Sequence, residues 1–117
     1  MAPGNAGTAT MATNLPLSET DEIVEWVKKR ANDSADTIDL VVVGPDDHLA
    51  EGLVDRLTEL GIPTFGPTKA AAQIEWSKAF AKQFMKEEGI PTAAYEIFIN
   101  IEKAKEHIEI ITKRNRN

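Results

Sequence analysis

The sequence predicts an α/β protein in which helices alternate with the strands of a parallel sheet. Residues 38–43 form a continuous aliphatic run, which is typical of a strand with helices on both faces. Apolar residues then recur at helical spacing over 49–60, and a second short strand is predicted at 62–65. Because a helix connects these strands, we expect them to run parallel with a right-handed crossover.

Further helices are predicted on both sides of this unit. Residues 17–31 carry an apolar stripe at helical spacing, and Ser18 can cap their first turn. Later helical patterns cover 69–75, 77–88 and 101–111, with an extended segment at 94–98. We therefore predict a partial parallel-sheet domain over 1–76, followed by the beginning of a second domain over 77–117.

Composition excludes several classes of protein. The 117 residues include no cysteine, which excludes disulfides, thiolate catalysis and cysteine-based zinc sites and suits a cytoplasmic location. Residues 1–60 carry 12 acidic and 4 basic side chains, a balance of −8, within a total charge of −6. Such a chain has no general attraction for nucleic acid or anionic membrane, and no apolar run reaches the roughly 20 residues of a membrane span.

Candidate ligand-binding residues follow the predicted strands, because parallel sheets bind ligands beyond the carboxyl ends of their strands. Gly44, Pro45 and Asp46 follow the first strand, and Gly66 and Pro67 follow the second. The carboxylates of Asp46 and Asp47 have two readings, since they could bind a ligand or cap the next helix. The spacing favours the cap.

The segment 2–8 also has two readings. Its small and turn-forming residues suit either a flexible leader or a glycine loop that approaches a ligand closely, and composition alone favours the leader. Lys78, Lys82 and Lys86 form a row that is either a solvated helix face or a phosphate contact. His48 and His107 lack metal-ligand spacing and are expected to be solvated, as is the basic tail 113–116.

Several segments, taken in order, extend this reading. Ala-Pro-Gly-Asn-Ala-Gly-Thr at 2–8, Val-Val-Val-Gly-Pro-Asp at 41–46 and Phe-Gly-Pro-Thr at 65–68 are followed by matching residues at 71–75, 77–82 and 89–93. Their order and spacing resemble the phosphoribosylamine–glycine ligase family over about residues 2–98. The resemblance implies a PreATP-grasp, Rossmann-like domain and the start of an ATP-grasp domain.

The resemblance also implies an activity and its site residues. The family joins glycine to 5-phosphoribosylamine, using ATP with magnesium or manganese to activate glycine as an acyl phosphate. Lys82 matches a lysine that lies near the nucleotide in related ATP-grasp enzymes. Residues that match the family's loops near the phosphoribosyl substrate are Pro3, Gly4, Asn5, Gly7, Thr8, Gly44, Pro45, Asp46, Gly66 and Pro67.

Departures from the family pattern predict an incomplete enzyme. The family's first strand–helix unit and most of its ATP-grasp region, with the metal ligands, have no counterpart here, so we assign no catalytic or metal-binding residue. Asp46 stands where glutamate is usual, and His48 stands where proline is expected. We expect a ligase fragment that is inactive alone, binds no cofactor itself and pairs with the remainder of the ligase. The alternative is a non-catalytic phosphoribosyl-binding module or an interaction protein.

Overall fold

Two short parallel strands lie at the centre of the first part of the chain. In the computed structural model, which describes residues 1–31, 33 and 37–114, β1 spans Val41–Val42 and β2 spans Thr64–Phe65. The pairs Val41–Thr64 and Val42–Phe65 face each other in register. The predicted parallel α/β arrangement is therefore confirmed, although both strands are shorter than the patterns at 38–43 and 62–65 indicate.

Six α-helices surround or follow these strands in the described part of the chain. A 3-10 turn at Thr8–Thr10 precedes them. In chain order the helices are α1 Thr20–Ala31, α2 Asp46–Glu51, α3 Leu53–Glu59, α4 Lys69–Trp76, α5 Lys78–Glu87 and α6 Ile101–Arg114. The last turn of α6 contains the first part of the predicted basic tail, and residues 115–117 lie outside the described residues.

The single helix predicted over 49–60 is wrong, because the structure divides it into α2 and α3. Gly52 stands between them with φ of 81°, a left-handed conformation that glycine adopts without the strain of a β-carbon. Its N–H donates to the carbonyls of His48 and Leu49 and so closes α2. Apolar periodicity continues across this residue because α2 and α3 both pack on one core, so periodicity alone conceals the break.

The start of α1 also differs from the prediction. The helix begins at Thr20, and the carbonyl of Glu19 accepts its first helical hydrogen bond from the Ile23 N–H at 3.1 Å. The Glu22 carboxylate accepts in return from the Glu19 N–H at 3.5 Å. Ser18 lies one residue too early to serve as the cap, so the capping role predicted for it is wrong.

One face of the sheet packs against the core, and the other is exposed. Val43 and Ile62 are buried, whereas Val42 is 65% exposed and its partner Phe65 is 69% exposed. Successive side chains of a strand point to opposite faces, so the aliphatic run places Val42 on the open side. The predicted burial of this strand on both faces is wrong for the part of the chain that the structure describes.

The core lies between the buried sheet face and the helices α1 to α4. Leu57 of α3 is fully buried at its centre. Trp26 packs against the edge of this core, as its position beside the apolar stripe predicts, and Arg30 lies over its ring at 5.0 Å. The buried apolar residues are Ile23, Val24, Val27, Val43, Leu49, Leu53, Val54, Leu57, Ile62 and Ala72.

The chain divides into two compact units, Met1–Lys78 and Ala79–Asn117. In the second unit the rings of Phe80 and Phe84 stack at 6.4 Å between centroids, as their spacing predicts. Ala81 is its one buried apolar side chain among the described residues, and α6 buries none. The boundary predicted at 76/77 is not tested by this division and stays a prediction.

Across the described ranges 1–31, 33 and 37–114, no helix is both long enough and apolar enough to cross a bilayer.

Candidate functional site

Two of the predicted loops lie side by side at the carboxyl ends of β1 and β2. The Val43 N–H donates to the Phe65 carbonyl at 2.9 Å, which brings the ends of the strands together. A β-carbon built on Gly66 would lie 3.2 Å from the Val43 carbonyl oxygen and 2.8 Å from Cγ2 of Val54. Gly66 therefore allows its backbone to lie against the end of β1, next to Gly44.

The loop after β1 is open to solvent. An added β-carbon at Gly44 would have no atom within 4 Å, and Asp46 and Asp47 are exposed in the first turn of α2. Pro45 is the N-cap residue of α2, and no side chain caps this helix. The favoured reading of these carboxylates as caps is therefore wrong, and neither carboxylate takes a cap's hydrogen bond from the amides of α2.

The loop after β2 leads into α4, and two amides in the first turn of this helix bond to side chains. Thr68 caps α4, and its Oγ1 accepts from the Ala71 N–H at 3.2 Å. Oδ2 of Asp55 accepts from the Lys69 N–H at 2.7 Å. A carboxylate thus occupies the place that an anionic ligand would take at this helix end. A ligand contact for Gly66 and Pro67 stays a prediction.

The N-terminal segment is a hydrogen-bonded loop. Oδ1 of Asn5 accepts from the N–H groups of Gly7 at 2.9 Å and Thr8 at 3.1 Å. The chain ends of the loop are joined as well, because the Leu15 N–H donates to the Met1 carbonyl at 2.8 Å. The favoured reading of a flexible leader is therefore wrong.

Asn14 closes the same loop from the other side. Its Nδ2 donates to the Asn5 carbonyl at 2.8 Å, and its Oδ1 accepts from the Thr8 hydroxyl at 2.8 Å. Gly4 has φ of 80°, and a β-carbon there would collide with the Asn14 side chain. Pro3, which follows a cis peptide bond, is exposed. The hydrogen bonds of Asn5 and Thr8 stay within residues 5–14 and do not extend to the other two loops.

A depression of about 380 Å³ lies beside the loop after β1. His48, half-buried on α2, contacts Thr20 at its edge, with 2.8 Å between Nδ1 and the hydroxyl oxygen. The prediction of a solvated loop histidine is therefore wrong. The lining residues are Ser18, Glu19, Pro45, Asp47, His48, Ala50 and Glu51.

In the second unit, Lys82 holds the segment that follows α5. Its Nζ donates to the Thr92 hydroxyl at 2.5 Å and to the Ala93 carbonyl at 3.3 Å, and it lies 5.6 Å from the centroid of the Tyr95 ring. His107 also has a partner in this unit, since its ring lies 5.1 Å from that of Phe98. A nucleotide contact for Lys82 stays a prediction.

The histidine and carboxylate side chains are the possible metal ligands of this chain. Over residues 1–31, 33 and 37–114, no three histidine or carboxylate side chains converge closely enough to hold a metal ion. A magnesium ion is often held by one or two carboxylates together with substrate phosphates, so this finding concerns only a site built from three protein side chains.

Comparison with known proteins covers nearly the whole chain. Residues 1–75 match the N domain of phosphoribosylglycinamide synthetase, and residues 76–116 match the ATP-grasp (A) domain of the same enzyme. The phosphoribosylamine–glycine ligase of Chlorobaculum tepidum is 47% identical in an alignment 114 residues long, which covers 93% of this chain and 25% of that ligase. Those of Streptococcus pneumoniae and Clostridium acetobutylicum are 44% and 42% identical, with 25% and 26% of their lengths covered.

These matches agree with the order of helices and strands and with the loops at the carboxyl ends of the strands. The chain spans about a quarter of the length of the curated relatives. The match to the N domain precedes the match to the ATP-grasp domain along the chain. This chain belongs to the phosphoribosylglycinamide synthetase family.

Proposed function

We propose that this chain forms the N-terminal part of a phosphoribosylamine–glycine ligase and supplies loops that bind its phosphoribosyl substrate. The observation that carries the proposal is the contact of Gly66 with the end of β1. It brings two glycine-proline loops to one edge of a parallel sheet, where this class of fold binds ligands.

The chemistry of the two loops supports a phosphorylated sugar as the ligand. Gly44 leaves its surroundings open, so a phosphate could approach the backbone N–H groups of this loop closely. Asp46 is exposed beside it, and a carboxylate accepts hydrogen bonds from the hydroxyl groups of a ribose ring. We also propose that the N-terminal loop, with Asn5 and Thr8, forms a third wall of this site.

The second unit supports a more limited role. Its match to an ATP-grasp domain implies ATP and a metal ion in the full-length relatives. Lys82 is the proposed nucleotide contact, and a phosphate would have to compete with its bonds to Thr92 and Ala93. Because this chain spans only about a quarter of the length of its relatives, we propose that it does not catalyse the ligation alone.

Two exposed apolar surfaces indicate a protein partner within the same enzyme. Val42 and Phe65 are exposed on the open face of the sheet, and α6 buries no side chain in the second unit. Apolar faces of this kind are usually covered by protein. We propose that ligase segments from the remaining three quarters of the relatives' length cover them, in a cytoplasmic enzyme. The alternative reading, a non-catalytic phosphoribosyl-binding module or an interaction protein, is supported by no specific observation.

The proposal is tested by titrating the 117-residue chain with ribose 5-phosphate and with glycinamide ribonucleotide, followed by amide NMR. We expect both probes to shift the amide signals of Gly44 and Gly66, with Gly7 responding if the N-terminal loop joins the site. The amides of Gly61 and Gly89, which no predicted ligand loop contains, serve as controls. Equal shifts at the controls, or none at Gly44 and Gly66 with millimolar probe, would overturn the proposed substrate site.

A further inference from the structure

A buried hydroxyl at the start of α1 is bonded to the histidine of α2. Thr20 is 3% exposed, and its Oγ1 lies 2.8 Å from Nδ1 of His48. A buried hydroxyl without a partner is unfavourable, so this bond stabilises the contact between the two helices. It joins residues that are 28 positions apart in the sequence, which makes it a tertiary link.

α2 depends on tertiary contacts for its orientation, which are its packing against α4 and its bond to α1. The helix has six residues and ends at Gly52, whose left-handed conformation stops it. A helix this short is not stable alone, because its nucleation is unfavourable and few hydrogen bonds follow. Leu49, which is 4% exposed, anchors one side of α2 in the core, and His48 fixes the adjacent side to α1.

The orientation of α2 determines where the loop after β1 lies. α2 follows Pro45 directly, and the Pro45 carbonyl accepts from the Leu49 N–H at 3.2 Å. Pro45 and Glu19 also line the same depression, so the start of α1 forms a wall beside this loop. A shift of α2 relative to α1 would therefore move Pro45 and both of its neighbours.

A second link between α1 and the helices after β1 is weaker. Asp21 lies 2.7 Å from Arg56 of α3, but their side chains are 88% and 39% exposed. Exposed ion pairs contribute little because water and salt screen them. The bond from Thr20 to His48 is partly buried, so we expect it to stabilise the position of α1 against these helices more than the ion pair does.

We propose that His48 is a positioning residue that acts through Thr20 to hold the Gly44–Asp46 loop in its ligand-facing position. The inference rests on the proposed function for the identity of the ligand that the loop binds. The positioning itself is a property of the free protein and can be measured without a ligand.

Four variants separate the hydrogen bond from packing. Thr20→Val removes the hydroxyl and keeps the shape, whereas Thr20→Ser keeps the hydroxyl. His48→Leu removes the bonding atom, whereas His48→Asn keeps an amide near the position of Nδ1. Because His48 is only half-buried, His48→Leu and His48→Asn can still separate the hydrogen bond from packing if Thr20→Val fails to fold.

The first readout is amide hydrogen exchange of the free 117-residue chain. The Leu49 N–H reports the link from Pro45 to α2, and the Ile62 N–H, bonded to Leu57 at 3.0 Å, reports the core. Thr20→Val and His48→Leu should raise exchange at Leu49 about fivefold relative to Ile62, the factor expected for one net hydrogen bond. Thr20→Ser and His48→Asn should stay near the wild-type ratio.

The second readout is affinity for ribose 5-phosphate, which the same two variants should weaken by a similar factor. Unchanged exchange at Leu49, or an equal rise at Leu49 and Ile62, would overturn the positioning role. If the wild-type chain does not bind ribose 5-phosphate, the proposed function fails, and the exchange ratios still decide the role of His48. If the chain binds and all four variants bind equally, the positioning role is overturned and the proposed function stands.

Discussion

Gly66 provides a direct test of how closely the two loops at the sheet edge pack, because one added methyl group meets three neighbours. In Gly66→Ala the new β-carbon would lie 2.8 Å from Cγ2 of Val54, 3.2 Å from the Val43 carbonyl oxygen and 3.5 Å from Cδ2 of Leu49. The first distance is too short for any contact between carbon atoms. The second involves backbone at the end of β1, which cannot rotate away as a side chain can.

The expected loss of stability has two sources. Forcing an extra methyl group into a packed site costs about 1–3 kcal/mol. Holding a residue other than glycine at φ of 154° adds about 1–3 kcal/mol of backbone strain. The sum, about 2–6 kcal/mol, compares with about 4–12 kcal/mol for a folded unit of this size. Gly66→Ala should therefore remove about half of the free energy of unfolding.

Substitutions at two other glycines separate the packing cost from the backbone strain. Gly61 has φ of 75° and no atom within 4 Å of an added β-carbon, so Gly61→Ala should cost only the strain. Gly44 has open space and no left-handed φ, so Gly44→Ala should change stability by less than about 1 kcal/mol. Urea unfolding followed by tryptophan fluorescence measures all three, since Trp26 and Trp76 both lie in the first unit.

The order of the three variants decides the outcome. We expect Gly66→Ala to be the least stable, Gly61→Ala to be intermediate and Gly44→Ala to resemble the wild type. If Gly66→Ala matched Gly44→Ala, Gly66 would not lie against the end of β1, and the convergence of the two loops would be refuted.

Three further predictions concern the core, the second unit and the stability of the chain. Leu57→Ala removes a fully buried side chain and should lower the free energy of unfolding by about 2–5 kcal/mol in urea titrations, whereas Leu60→Ala, at an exposed position, should change it little. Lys82→Met removes the bonds to Thr92 and Ala93, so this segment should move faster and its amide NMR lines should become narrower. Lys86→Met should leave these lines unchanged. Among the described residues the sheet has an exposed apolar face and two strand edges, through which two copies can associate. Because association stabilises the folded chain, the melting temperature should rise with protein concentration. A sharp, concentration-independent melt of a monomer above about 60 °C would contradict this last prediction.

Much of the fold could be predicted from local patterns. The glycine-proline pairs after each apolar run indicated where the strands end, and the parallel pairing followed from the helical pattern between them. The break at Gly52 could not be read from periodicity, because both helices present apolar residues to the same core. The open sheet face could not be read either, since an aliphatic run has the same pattern whether its second face is covered or exposed.

The site was predictable to a smaller extent. The family resemblance selected loops at the carboxyl ends of the strands, and the structure brings two of them together. The roles of Asn14 and Thr20 were missed, because each acts through a hydrogen bond whose partner lies 6 to 28 residues away. No local motif signals such a bond. The capping role favoured for Asp46 or Asp47 failed because α2 begins at Asp46, so Pro45 takes the N-cap position and both aspartates lie inside the first turn.

The central claim is that this chain supplies the substrate loops of a phosphoribosylamine–glycine ligase. A chimera tests it, in which residues 1–116 replace the matched segment, about a quarter of the length, of the Chlorobaculum tepidum ligase. Phosphate release should then require both glycine and phosphoribosylamine, and Gly66→Ala in the chimera should abolish it while Leu60→Ala, at an exposed position outside the proposed loops, preserves most of it. The isolated chain should show no turnover in the same assay. A folded chimera without substrate-dependent phosphate release, or turnover by the isolated chain, would contradict the account.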